Sequence, residues 1–190
     1  GENGITITKS TNNSTFRHIK TSSNISNGVH IAGTENVVYD VTSANNGENG
    51  ILISGAKNVI TQAAIYNNAQ HGLLVDRTGN NTVSLINATG NGQNGMTLIG
   101  SNGITLVDIN ATLNQENGLT LNNATNLMVK NAIIAFNENH GITNTPGLED
   151  NLNFAGLIEV GFNTTFNCQI ADSNQCPSPI TTLADTITLT

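Results

Sequence analysis

The sequence predicts an all-β fold: a single-stranded right-handed parallel β-helix of about seven rungs, 22–24 residues each, with three short strands per rung. Three observations predict it. A glycine returns at a near-constant period, apolar residues alternate after each return, and two columns of asparagine keep step with the glycines. The glycines are Gly4, Gly28, Gly50, Gly72, Gly95, Gly118 and Gly141, each preceded by Asn or His and followed by an apolar residue. Their spacings are 24, 22, 22, 23, 23 and 23. Repeats of this length mark stacked units that cannot bury their apolar faces alone.

The first strand of each unit follows its glycine. Ile5/Ile7, Val29/Ile31, Ile51/Ile53, Leu73/Val75, Met96/Leu98 and Leu119/Leu121 alternate with a period of two, the pattern of a half-buried strand. A second pair lies mid-unit: Val37/Tyr39, Val59/Thr61, Ile104/Leu106 and Leu127/Val129. The third comprises Val41/Ser43, Ala63/Ile65, Ile86/Ala88, Ile109/Ala111 and Ala132/Ile134. Strands this short cannot pair within their own unit. They must bond to the same strand of the next unit, in parallel, and three such strands per turn make a prism about 34 Å long.

The asparagines set the register. Asn24, Asn46, Asn68, Asn91, Asn114 and Asn137 each stand four residues before a marker glycine. Asn3, Asn27, Asn49, His71, Asn94, Asn117 and His140 stand immediately before one. Stacked at about 4.8 Å, such amides can bond one another as ladders. The left-handed conformation that a tight corner demands is expected of these Asn and of the glycines after them. His71 and His140 read as ladder substitutes.

Composition excludes several classes. The 190 residues include 33 Asn, 25 Thr and 19 Gly, all poor helix formers, which excludes a helical bundle. Only 10% of residues are charged, whereas disordered chains couple low hydrophobicity to high charge. Six Lys and Arg against 13 Asp and Glu cannot neutralise a nucleic-acid backbone, so no nucleic-acid partner is expected. No apolar run reaches the ~18–20 residues of a transmembrane helix.

The pattern Asn-Gly-Ile-x-Ile, then Asn-Val/Leu-x-Val, then Asn-x-x-Asn-Gly resembles the β-helix repeats of the pectin-lyase-like superfamily. It is most similar to the NosD-type repeats of carbohydrate-binding proteins and sugar hydrolases. The resemblance spans residues 1–145, the repeat region. It implies the fold, and a function drawn from lyases, glycoside hydrolases, epimerases, tailspikes, surface adhesins and inert stalks.

The ends differ from the middle. The chain opens inside a repeat at Gly1-Glu2-Asn3-Gly4, the expectation for a fragment of a longer protein, and an uncovered end invites oligomers or end-to-end stacking. Residues 146–190 are expected to form a degenerate last rung and a C-terminal cap. A loop is expected at Pro146, Gly147, Glu149 and Asp150, Phe154, Phe162 and Phe166 are expected to plug the core, and Thr186–Thr190 alternates like another strand. Cys168 and Cys176 suit either a disulfide or two free thiols. Their spacing matches no zinc motif, and their closeness in an irregular cap favours the disulfide, worth ~2–3 kcal/mol. A disulfide implies a secreted, cell-surface or periplasmic location.

Candidate chemistry is sparse. A glycoside hydrolase needs two carboxyls ~5–9.5 Å apart. Asp40 and Asp108 share a column, as do Glu48 and Glu116, but each pair stands three rungs apart, roughly 14 Å. His18 and His30 are expected to have no acid in register. The least bland polar cluster is Asp76 and Arg77 with Lys57 in the preceding rung, a candidate ligand contact. Asp76 is flanked in its column by Ser54 and Ile99. Leu52 and Leu74 share an outward column with Thr6, His30, Thr97, Thr120 and Thr143, a candidate contact surface. No catalytic residue, cofactor or metal site is assigned. These features predict a non-catalytic secreted or surface module (a stalk, adhesin segment or glycan-contacting face) whose partner is a polysaccharide or another surface protein. The alternative is a polysaccharide lyase or glycoside hydrolase of the same superfamily, and calcium enters only under the lyase.

Overall fold

The computed structural model describes residues 2–144, 151–169, 176 and 179–180. These residues coil into a right-handed parallel β-helix of about seven turns, with two parallel sheets of eight strands and no helix among them. One sheet holds the short strands after the marker glycines, from Ile5–Ile7 and Val29–Ile31 through Ile142–Asn144 to Cys168–Gln169. The other holds longer strands such as Thr15–Ser22, Val37–Ala44, Val59–Tyr66 and Thr105–Thr112. Each long strand contains the second and third segments expected from the sequence. They run on through one left-handed residue that turns the chain, where the pairing skips one position and resumes in the same register from rung to rung: His18, Asp40, Gln62, Leu85, Asp108 or Asn131.

Left-handed residues mark the other corners too. Asn13, Glu35, Lys57, Asn80, Gly103 and Asn126 bend the chain into the long strand. Ser23, Asn45, Asn67, Gly90, Leu113, Phe136 and Phe162 bend it out. The ladder asparagines and marker glycines are absent from this set, which corrects the expectation that they supply the left-handed backbone. The marker glycines are required by space. A Cβ on Gly50 would lie 2.1 Å from Ile65 Cγ2 and 2.8 Å from the Gly72 carbonyl, and one on Gly28 only 1.9 Å from Ser43 Oγ. Each glycine lets the corner backbone press against the core column opposite.

The core is a set of columns one residue wide. Ile31, Ile53, Val75, Leu98 and Leu121 stack without measurable exposure, as do Val38, Ile60, Val83, Leu106 and Val129. The second column corrects the mid-unit expectation by one residue in the early rungs. Val37, Tyr39, Val59 and Thr61 face outward, and Val38 and Ile60 face in. Consecutive apolar residues hid the phase there. Asn36, Asn58 and Asn81 hold the inward position that Ile104 and Leu127 fill later. They form a third asparagine column: the Asn36 N–H donates to Asn58 Oδ1 at 2.9 Å and the Asn58 N–H to Asn81 Oδ1 at 2.8 Å.

Beyond the repeat, Leu152–Gly161 adds to the long-strand sheet and Pro179–Ile180 pairs with its end. Phe154 packs against the core, whereas Phe162 stacks outside on Phe136 at 5.2 Å and Phe166 is largely exposed. Cys168 and Cys176 form a disulfide. The expected loop at residues 145–150 and strand at 186–190 lie outside the described residues.

Two substitutions separate the roles of space and backbone angle. Gly50→Ala is expected to destabilise the protein by about 1–3 kcal/mol through overpacking. Leu113→Asn, at an exposed left-handed corner (φ 58°), is expected to stabilise it by roughly 1 kcal/mol. Urea denaturation of both variants checks the opposite signs.

Candidate functional site

The outer faces are positioned by the polar columns beneath them. In the first ladder the Asn68 side chain donates Nδ2 to Asn91 Oδ1 at 3.0 Å, and Asn91 does the same to Asn114 at 3.1 Å. Each Oδ1 also accepts the N–H of the preceding ladder residue, and each buried Nδ2 reaches a backbone carbonyl, as Asn114 does to Ala88 at 3.1 Å. Asn137 bonds the same way, and Asn24 and Asn46 donate along the column likewise, with the Asn46 Nδ2 also reaching Ser43 Oγ at 3.1 Å. Asn163 extends the column beyond the run read from the sequence.

The second ladder runs with opposite polarity. Asn27, Asn49 and Asn117 each donate Nδ2 to the residue one rung before. His71 takes its place here with Nδ1 as the acceptor, receiving Asn94 Nδ2 at 3.3 Å and the Asn94 N–H at 3.4 Å. Only an unprotonated Nδ1 can accept, so the imidazole is neutral with its proton on Nε2. Burial pushes its pKa down to about 4. The bonds through His71 are longer than the 2.8 Å between Asn117 and Asn94, which makes it the weak joint of the ladder. His140 ends the column differently. Its N–H donates to Asn117 Oδ1 at 3.0 Å, its ring meets Phe166 edge-on at 5.6 Å, and burial lowers its pKa.

Of the candidate contact residues, the structure pairs two and separates the third. Arg77 Nη1 lies 3.6 Å from Asp76 Oδ2, with the guanidinium mostly exposed. Lys57 turns away to Glu35, Nζ to Oε1 3.1 Å, in the previous rung. Arg77 is the additional left-handed residue (φ 48°) at the corner where rungs lengthen from 22 to 23 residues, followed in its column by Gly100 and Asn123. Asp76 pairs in register with Ile99.

Leu52 and Leu74 stack in register between His30 and Thr97 on the outer side of the short-strand sheet, both half-buried. His30 Nε2 lies 2.9 Å from Ser54 Oγ, and burial first, then the Lys9 charge, lower its pKa. Thr97 is buried, its hydroxyl 3.3 Å from His71 Nδ1. The strip is therefore backed by the same His71 that joins the ladder.

The expectation that His18 lacks an acid in register is overturned. His18 and Asp40 both occupy the corner inside the long strand, one rung apart, and His18 Nδ1 lies 2.5 Å from Asp40 Oδ2. Tyr39 approaches the same imidazole edge-on at 6.3 Å. Their spacing of 22 residues, one rung, was the available signal. Among the described residues, no three His, Cys, Asp or Glu side chains cluster as a metal site would.

Stacked parallel rungs with buried amide columns and plain outer faces define a right-handed β-helix scaffold. The chain belongs to the right-handed beta helix region family, which it matches over residues 27–176. No curated protein matches the chain in sequence. Among solved structures it is similar to the periplasmic alginate epimerase AlgG, with TM-score 0.80 over 90% of this chain and 17% identity. It is also similar to tailspike protein 2 from a bacteriophage of Escherichia coli, with TM-score 0.55 over 82% of this chain and 11% identity. The chain spans 45% of the epimerase and 29% of the tailspike chain. At these identities the likeness is one of fold.

Acid should act on the ladder through His71. Its native pKa of about 4 lies below the 6.5 of an unperturbed histidine, so the unfolded chain binds a proton first. The stabilising contribution is complete above about pH 6.5 and is lost as pH falls toward about 4, in total roughly 3 kcal/mol. His71→Asn is expected to restore an amide joint and remove this part of the acid sensitivity. Urea midpoints of both proteins at pH 7.5 and 4.5 check it: the wild type should lose more than the variant.

Proposed function

We propose that this chain is a non-catalytic module of a secreted, periplasmic or cell-surface protein, a rigid β-helix that presents an outer face to a glycan. One observation carries this reading. Glu2 and Glu48 share a column two rungs apart, about 10 Å, across Ser26. The other acids that share a column among the described residues are held three rungs apart: Gln62 and Leu85 separate Asp40 from Asp108, and Gln70 and Gln93 separate Glu48 from Glu116. That spacing of roughly 14 Å exceeds the ~5–9.5 Å a carboxyl pair needs for glycoside hydrolysis. The Cys168–Cys176 disulfide supports an oxidising compartment. The Leu52/Leu74 strip and the Asp76–Arg77 pair, each on an outward side, are contact candidates. The similarity in fold to an alginate epimerase and a phage tailspike agrees with a glycan partner.

The His18–Asp40 pair favours a second reading, a polysaccharide lyase or hydrolase, because an imidazole oriented by a carboxylate is the geometry of a general base. The two readings separate in one set of assays. Alginate, polygalacturonate and neutral glycans are incubated with the protein, with and without calcium. Unsaturated product is followed at about 232 nm, new ends by reducing-sugar assay, and epimerisation by proton NMR. No turnover is expected. Turnover that disappears in His18→Ala or Arg77→Ala would overturn the non-catalytic reading.

A further inference from the structure

The repeat departs from its own register at one place in the long-strand sheet. Pairing between Leu127–Ala135 and Leu152–Gly161 steps from Lys130↔Ala155 to Ala132↔Ile158, so Gly156 and Leu157 together oppose Asn131. This is a β-bulge, a device that re-aims side chains. Gly156 is left-handed at φ 73°, and a Cβ there would lie 2.1 Å from Asn131 Oδ1. Asn131 pins the bulge and the rung before it: its Oδ1 accepts the Leu157 N–H at 3.2 Å, and its Nδ2 donates to Asp108 Oδ1 at 2.8 Å.

The bulge lifts Leu157 off the sheet, 67% exposed, beside Ile133, and the two border a cavity of about 500 Å³ with Asp108, Asn110, Asn131 and Ala132. That volume lies within the ~300–1,000 Å³ of small-molecule sites. The cavity wall is mainly apolar, with a narrow polar edge. Asp108 offers a carboxylate, and Asn110 has an Oδ1 shielded from water without a donor. Among the described residues, no Lys, Arg or His lines it.

We infer that this cavity is a binding site for an uncharged sugar unit of a glycan chain. A pyranose ring lays its C–H face on Ile133 and Leu157 and donates a hydroxyl to the exposed carboxylate of Asp108. A purely apolar ligand would strip water from the Asp108 carboxylate without replacing its hydrogen bonds. A uronate or sulfated sugar would place its charge beside Asp108 with no cation to offset it. The inference rests on the glycan-contacting reading above and names the class of glycan.

The test is a methyl NMR titration of the full chain with maltohexaose, cellohexaose and mannohexaose, with an alginate hexamer for contrast. At least one neutral hexaose is expected to shift the Ile133 and Leu157 methyl signals saturably, and the alginate hexamer is not. Leu157→Ala and Asp108→Gly, the latter suited to the left-handed backbone at that corner (φ 53°), are expected to weaken binding about tenfold or more. Leu85→Gly, in the same column one rung earlier, is expected to leave it unchanged. The inference falls if these methyls do not respond to a neutral hexaose, if both cavity variants bind like the wild type, or if the alginate hexamer binds there equally well. Shifts confined to Leu52 and Leu74 would overturn the cavity and leave the glycan-contacting reading standing. The absence of glycan binding anywhere would overturn both.

Discussion

Everything in this molecule depends on the buried amide ladders at its corners. A chain that turns three times per rung leaves backbone donors and acceptors without strand partners at each turn, and those turned toward the core cannot reach water. A buried polar group left unpaired costs about 1–3 kcal/mol, so the corners need side chains carrying both donor and acceptor at one fixed height per rung. Asparagine meets that need. Its Oδ1 takes one neighbour's N–H and amide, and its Nδ2 reaches the next amide or a backbone carbonyl. The two ladders run with opposite polarity, so one points its donors toward later rungs and the other toward earlier ones.

The ladders impose a division of labour on the rest of each rung. The ladder residue faces in, so the adjacent residue outside it absorbs the left-handed turn, and the marker glycine leaves room where backbone and core column meet. The outer columns are freed from structural duty, and their chemistry can vary from rung to rung. His18 beside Asp40 and Leu52 beside Leu74 follow from this freedom. So does the cavity beneath Leu157. Stacking turns a one-rung sequence separation into about 4.8 Å in space, so two adjacent rungs suffice to assemble a pair, whereas three rungs separate Asp40 from Asp108 beyond cooperation.

Histidine in a ladder column is the point where structure and pH meet. At His71 the ring replaces an amide acceptor, keeps the column continuous and lies against the outward strip through Thr97. At His140 the next residue in the column is Phe166, which offers a ring edge in place of an amide. Two identical substitutions thus differ in role because of their neighbours one rung on.

The period, the parallel pairing, the inward phase of the first and third segments and both ladders were legible in the residues alone, because each rests on one residue type recurring at one spacing. The same spacing stacks Leu52 on Leu74, since register alone decides those neighbours. What depends on phase and direction emerges in the packed coil. Val37-Val38-Tyr39 is apolar at three successive positions, so alternation could not say which one faces the core, and the inward Asn36 was hidden by a residue type already explained as a corner. The roles of glycine and the left-handed residue were exchanged because both satisfy a tight turn, and only the distance from Gly50 to Ile65 separates lack of room from backbone angle. Lys57 lies one rung from both Glu35 and the Arg77 corner, and side-chain direction chose the glutamate. The bulge at Gly156-Leu157 lies where the glycine period has lapsed. Its register followed from hydrogen bonds to Asn131 that no spacing encodes.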